Sequence, residues 1–83
     1  MCVLPGNIRI EQRFKEHPPP HFHAIRGGER VSVTIAELSV LQGSMNNASF
    51  HDVVVWARDH QAELALNWVR ALALVPVEKI PCA

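Results

Sequence analysis

The sequence predicts an α+β fold: a three- to four-stranded antiparallel sheet followed by one kinked or two consecutive C-terminal helices packed on one face. Three observations carry this. Apolar and polar residues alternate with a period of two from Ile8 to Phe14 and again from Val31 to Ile35, the signature of strands with one buried face. A Gly27-Gly28 pair separates two extended runs, which marks a hairpin. From Asn46 the apolar residues recur at helical spacing instead. The 83 residues make one domain, 1–83. Its expected parts are a loose lead-in over 1–7, a sheet over 8–43, a helical segment over 46–75 and an extended tail over 76–83.

In chain order, Pro5-Gly6 is a turn signal in the lead-in. The first strand runs from Ile8 to Phe14, with Gln12 the one polar residue on its apolar side. A second strand runs from His21 through Phe22 to Arg26. After Gly27-Gly28, Val31, Val33 and Ile35 alternate with Ser32 and Thr34. Leu38 to Gln42 makes a fourth strand, ended by Gly43. Asn46, Asn47 and Ser49 are all good helix N-caps. Phe50, Val53, Val54 and Ala57 then form an apolar helical face, although the Val53-Val54-Val55 run is β-branched and the helix needs packing to hold it. A break is expected near Asp59-His60. The apolar face resumes with Leu64, Trp68, Ala71 and Leu72, and Pro76 ends the second helix.

The densest chemistry lies in His17-Pro18-Pro19-Pro20-His21-Phe22-His23. Three of the five histidines fall within seven residues. Proline fixes φ and lacks an N–H, so Pro18, Pro19 and Pro20 are expected as a short polyproline-II rod with His17 and His21 at its ends. On the strand that follows, His21 and His23 project from the same face. A His-x-His pair is half of a site for zinc, nickel, copper or iron. His17 can add a third nitrogen, and Glu16 or Glu11 a carboxylate. Three protein ligands and an open position is the catalytic arrangement for zinc. There is no His-Glu-x-x-His, no Cys-x-x-Cys and no second cluster at a defined distance. Two other readings stand beside the metal. In one, the histidines close the loop by hydrogen bonds to backbone carbonyls. In the other, they act as metal-free acids and bases near neutral pH. No cofactor is demanded; a divalent transition metal is the candidate.

Composition narrows the function classes. Eight basic and eight acidic residues give a formal charge of zero. That balance argues against nucleic-acid binding, which shows a basic face and a high pI. It also removes self-repulsion and favours association. No apolar run approaches the roughly eighteen residues of a membrane span. No signal-peptide pattern is visible at Met1 to Gly6. Cys2 and Cys82 lack framework spacing, which suggests a reducing compartment and a cytoplasmic protein.

The second helix carries one further signal. Between Ala62 and Leu74 its polar residues, Glu63, Asn67 and Arg70, form one narrow stripe, and the rest is apolar. A helix apolar on most sides is normally buried. A homodimer is therefore expected, with Leu66, Trp68, Val69 and Leu72 at the interface. Covering by the C-terminal tail is the alternative. His51 and His60 read as solvated surface histidines. Trp56 and Trp68 read as core or interface anchors.

The ordered set of Pro19-Pro20-His21-Phe22-His23-Ala24, Gly27-Gly28, Gly43, Trp56-Ala57, Asn67-Trp68 and Ile80-Pro81 resembles the small bacterial family catalogued as domain of unknown function 4160. The resemblance runs from about Ile8 to Pro81. Its most specific parts are the His-Pro motif and the Asn-Trp pair. The family's first helix typically opens on basic residues or proline, whereas this chain has Asn46-Asn47. The resemblance implies a short, bacterial, intracellular protein. It also implies a gene beside that of another small protein, in a layout like a toxin–antitoxin pair. It implies no activity. Three functions are weighed: a non-catalytic protein-interaction module, with that neighbour's product as a candidate partner; a histidine-cluster metal-binding protein or metal-dependent enzyme at His17, His21 and His23; and, against the charge balance, a nucleic-acid-binding regulator.

Overall fold

The computed structural model describes residues 2–13, 16–73 and 80. Five strands form one antiparallel sheet in sequential order: β1 (Cys2–Leu4), β2 (Ile8–Glu11), β3 (His21–Arg26), β4 (Glu29–Thr34) and β5 (Val40–Ser44). Two helices follow, α1 (Asn47–Asp59) and α2 (Gln61–Leu72). The α+β class holds, with one strand more than expected.

The extra strand is β1, which pairs with β2 through Cys2↔Ile10 and Leu4↔Ile8. Residues expected as a loose lead-in thus form a hairpin. Its turn has Gly6 and Asn7 at φ +86° and +61°, a left-handed geometry that glycine and asparagine tolerate best. Cys2 is buried and disulfide-bonded; Cys82 lies outside the described residues. The tail expected over 76–83 also lies outside them, apart from Ile80. That residue is 1% exposed and belongs to the core.

Alternation decides the two faces of the sheet. Ile8, Ile10, Phe22, Ala24, Val31 and Val33 point to one side and join Val53, Trp56, Ala57, Leu64 and Trp68 from the helices in a single core. Phe22 meets Trp56 edge-on at 6.3 Å between ring centroids. Arg9, Glu11, His21, His23, Arg30 and Ser32 alternate with those residues and share the other side. The β3–β4 hairpin closes in two residues, Gly27-Gly28, with Arg26 opposite Glu29. The register slips between Ser32 and Val33, where β5 places Leu41 as an extra residue. Gly43 lies within β5 rather than after it. It has φ +81°, and a Cβ there would strike the Arg30 carbonyl.

Asn46 caps α1 as expected: its side chain accepts from the Ser49 N–H at 2.9 Å. The cap is itself held, because the Asn46 backbone and side-chain N–H groups donate to the Glu29 carboxylate at 2.8 and 2.9 Å. The chain breaks at His60, giving two helices. His60 is not a solvated histidine, however. It is 8% exposed, its ring lies 4.9 Å from Trp56, and Nδ1 meets Glu63 Oε1 at 2.7 Å.

Helix α2 is turned differently from the expectation. Trp68 and Asn67 face inward, at 7% and 1% exposure, while Leu66, Val69 and Leu72 face outward. The polar stripe is thus partly buried: Asn67 Oδ1 accepts from Arg70 Nη1 at 3.1 Å. Trp68 anchors the monomer's own core, and the apolar surface left exposed is carried by aliphatic side chains.

Candidate metal centre

The segment joining β2 to β3 brings a carboxylate, Glu16, back over the start of β3. Pro18 and Pro19 form a bend, with a cis peptide bond between them, instead of a straight rod. Prolines offer the backbone only acceptors, and two of these carbonyls are used. The Ile35 N–H donates to Pro20 O at 3.0 Å, which ties the bend to the end of β4. Pro19 O lies 2.8 Å from His21 Nδ1. A carbonyl oxygen only accepts, so Nδ1 carries a proton.

That hydrogen bond fixes the character of the other ring nitrogen. In neutral His21, Nε2 is then a lone pair. It faces Glu16 Oε2 at 3.1 Å, so acceptor meets acceptor. His23 brings its own Nε2 to Glu16 Oε1 at 2.5 Å, while its Nδ1 lies 3.1 Å from the Ser32 hydroxyl. Ser32 is directly opposite His23 in the β3–β4 register. The two imidazoles stand edge to face with centroids 5.2 Å apart. One ligand atom from each of Glu16, His21 and His23 lies within 4.8 Å of the others. Both rings are buried, at 6% and 7% exposure.

Burial raises the Glu16 carboxyl. The hydrogen bonds and charge of His23 and His21 more than offset this and hold its pKa below the ordinary carboxylate value. Trp68 of α2 closes the site from the helical side, its ring 5.2 Å from that of His21 at a 52° tilt.

Of the residues singled out in the sequence, the structure brings together His21, His23 and Glu16. His17 is exposed and outside the group. Glu11 pairs with Arg13 at 3.1 Å. Pro18, Pro19 and Pro20 are exposed; Phe22 and Trp56 are core residues. Sequence reading missed Ser32, whose alternation placed it on the histidine face but whose partner depended on register. It also missed the polar surroundings. A cavity of about 510 Å³ opens beside Glu16 and His23, and Arg13, Arg30, Ser32 and Gln42 line it.

Fold and site together define a small α+β protein with a His-x-His-plus-carboxylate cluster at the mouth of a polar cavity. The chain belongs to the family described as Domain of unknown function (DUF4160), which it matches over residues 7–69. The match takes in the whole His-Pro stretch and ends one residue beyond Trp68. No curated protein and no solved structure matches the chain. Among the described residues, no helix is long and apolar enough to cross a membrane.

Proposed function

We propose that this protein binds a divalent transition metal through His21 Nε2, His23 Nε2 and the Glu16 carboxylate. The observation that carries the reading is the His21 ring. Pro19 holds its Nδ1–H and thereby aims a lone pair at a carboxylate. Only a cation satisfies both groups. A proton on His21 would serve that one contact; a metal serves His21, His23 and Glu16 at once. An imidazole whose far N–H is held by a backbone carbonyl is the usual support of a metal-bound histidine. Zinc–ligand distances of about 2.0–2.1 Å imply ligand atoms roughly 3.3 Å apart around a tetrahedral ion. His21–Glu16 is already near that spacing at 3.1 Å, and His23–Glu16 must open from 2.5 Å. Glu16 sits between strands with a side chain 22% exposed, so the carboxylate can withdraw without disturbing β3.

Three protein ligands leave a zinc-like ion with at least one open position. Such an ion would supply an acidified water able to act as a nucleophile near neutral pH. Metal-assisted hydrolysis is the reaction class this arrangement serves, with Glu16 and the two histidines as ligands and Pro19 and Ser32 as positioning groups.

Isothermal titration of the metal-free chain with zinc, nickel or ferrous iron tests the reading. Saturable one-to-one binding, lost in the His21→Ala/His23→Ala variant, is expected. No heat at hundreds of micromolar metal would refute it.

A second reading rests on Leu66, Val69 and Leu72, which are 51%, 60% and 50% exposed on α2. Three large aliphatic side chains in contact with water on one helix favour a homodimer through this face, and the zero net charge does not oppose it. Sedimentation at micromolar concentration should show a dimer that Val69→Glu dissociates; a wild-type monomer would exclude it. Partnership with a neighbouring gene's product would use the same face.

A further inference from the structure

We infer that the cavity beside the metal centre is the recognition pocket for a phosphoryl group on a small molecule. This rests on the metal reading for its chemistry but on different residues for its specificity. β4 carries Arg30 and Ser32 two residues apart, so both project from the face that bears His23. β5 adds Gln42, opposite Ser32 in the register. The connecting segment supplies Arg13, and Glu16 and His23 complete the wall.

One arginine of the wall is paired and the other is not. Arg13 is steadied by Glu11 at 3.1 Å. Glu29, the acidic neighbour of Arg30 in sequence, is engaged with Asn46 and lies 3.9 Å from Arg26 instead. The Arg30 guanidinium has no hydrogen bond or ion pair among the described residues, and neither has the Gln42 amide. Arg30 is thus the guanidinium of this pocket that no carboxylate among the described residues pairs. A divalent ion on Glu16 would neutralise its carboxylate and leave the pocket strongly positive.

Guanidinium forks match the oxygen pairs of phosphate. Gln42 and Ser32 can add neutral donors for a tetrahedral group with three terminal oxygens. At about 510 Å³ the cavity has room for a phosphomonoester with an organic portion. Gly43 fits the same design. A side chain there would strike the Arg30 carbonyl and push apart the strands that align Arg30 with Gln42.

The test uses phenyl phosphate as probe, followed by ¹⁵N NMR of arginine Nε–H and Gln42 amide signals in the full chain, zinc-loaded and metal-free. Saturable shifts at Arg13, Arg30 and Gln42 are expected. Arg30→Gln should weaken binding at least about tenfold, as loss of a charge-assisted contact does. Arg58→Gln, which removes the same charge from α1 outside the pocket, should leave it unchanged. Benzoate should bind at least about tenfold more weakly than phenyl phosphate. Equal losses in Arg30→Gln and Arg58→Gln, or equal binding of benzoate, would overturn the assignment. The metal reading fails separately. Zinc that binds without any phenyl phosphate response overturns the pocket alone. Phenyl phosphate that titrates Arg13 and Arg30 in a chain that never binds zinc supports the pocket and removes the metal.

Discussion

A buried histidine and a buried histidine pair each meet a carboxylate among the described residues, and the two groups differ in one respect that matters. His60 meets Glu63 three residues along the same helix, with its ring against Trp56. One nitrogen meets one carboxylate, and a single proton satisfies the pair. At the other site, two rings from one strand converge on a single carboxylate carried by a different segment. There, the far nitrogen of His21 is already committed to a carbonyl. The first arrangement is local and serves packing at the helix break. The second is assembled by tertiary structure and brings two ring nitrogens, one of them the His21 Nε2 lone pair, to one carboxylate. In the proposed reading, it is this convergence on one carboxylate, and not burial beside it, that suits a metal ion.

The comparison can be broken most directly at the ligands. His21→Ala/His23→Ala should abolish zinc binding at all practical concentrations, whereas His60→Ala should leave the calorimetric isotherm within about twofold of wild type. Equal losses in the two variants would show that histidine burial alone governs binding. Trp68→Ala comes next. It removes a core aromatic that also flanks His21, and should destabilise the fold by about 3–5 kcal/mol in urea denaturation. Glu16→Gln should weaken zinc at least about tenfold while leaving the sheet intact, because Glu16 lies outside the strands. Asn46→Ala is the smallest change. Loss of the α1 cap should cost about 1 kcal/mol and leave metal affinity alone.

Acid sharpens the same contrast in the metal-free chain. The folded Glu16 carboxyl titrates below its ordinary value near 4.5. A depressed carboxyl binds fewer protons folded than unfolded, so its stabilisation is fully present above about pH 4.5 and is lost as pH falls through the lower folded value. Urea titrations of wild type and Glu16→Gln should therefore show a stability gap at pH 6 that narrows by pH 3. A gap that widens in acid would reverse the assigned direction.

Much of this was legible from residue order alone. Alternation from Ile8 and from Val31 located β2 and β4, Gly27-Gly28 located the hairpin, and Asn46 located the cap. The helix break at His60 was also readable. So was the shared face of His21 and His23, because a strand's period admits nothing else. What was hidden depended on contacts distant in sequence. Three residues of β1 are too few for a periodic signal, and only pairing with Ile8 to Ile10 makes them a strand. The prolines read as a straight rod because local φ preference ignores the carbonyl contacts to Ile35 and His21. Trp68 read as a core or interface anchor, placed at a dimer interface because Glu63, Asn67 and Arg70 suggested one outward polar stripe. Arg70 satisfies Asn67, which lets that stripe tilt inward and brings Trp68 against His21. The pairing of His23 with Ser32 needed the β3–β4 register, which no single strand reveals.

The measurement closest to the central claim is long-range ¹H–¹⁵N correlation of the histidine rings during a zinc titration. The account predicts that His21 keeps its Nδ1–H throughout. The Nε2 signals of His21 and His23 should shift together to the metal-bound range at one equivalent, with His17, His51 and His60 unmoved. If His21 carries its proton on Nε2, or if zinc moves the exposed His17 and His51 while His21 and His23 stay put, the cluster is loop architecture and the metal centre does not exist.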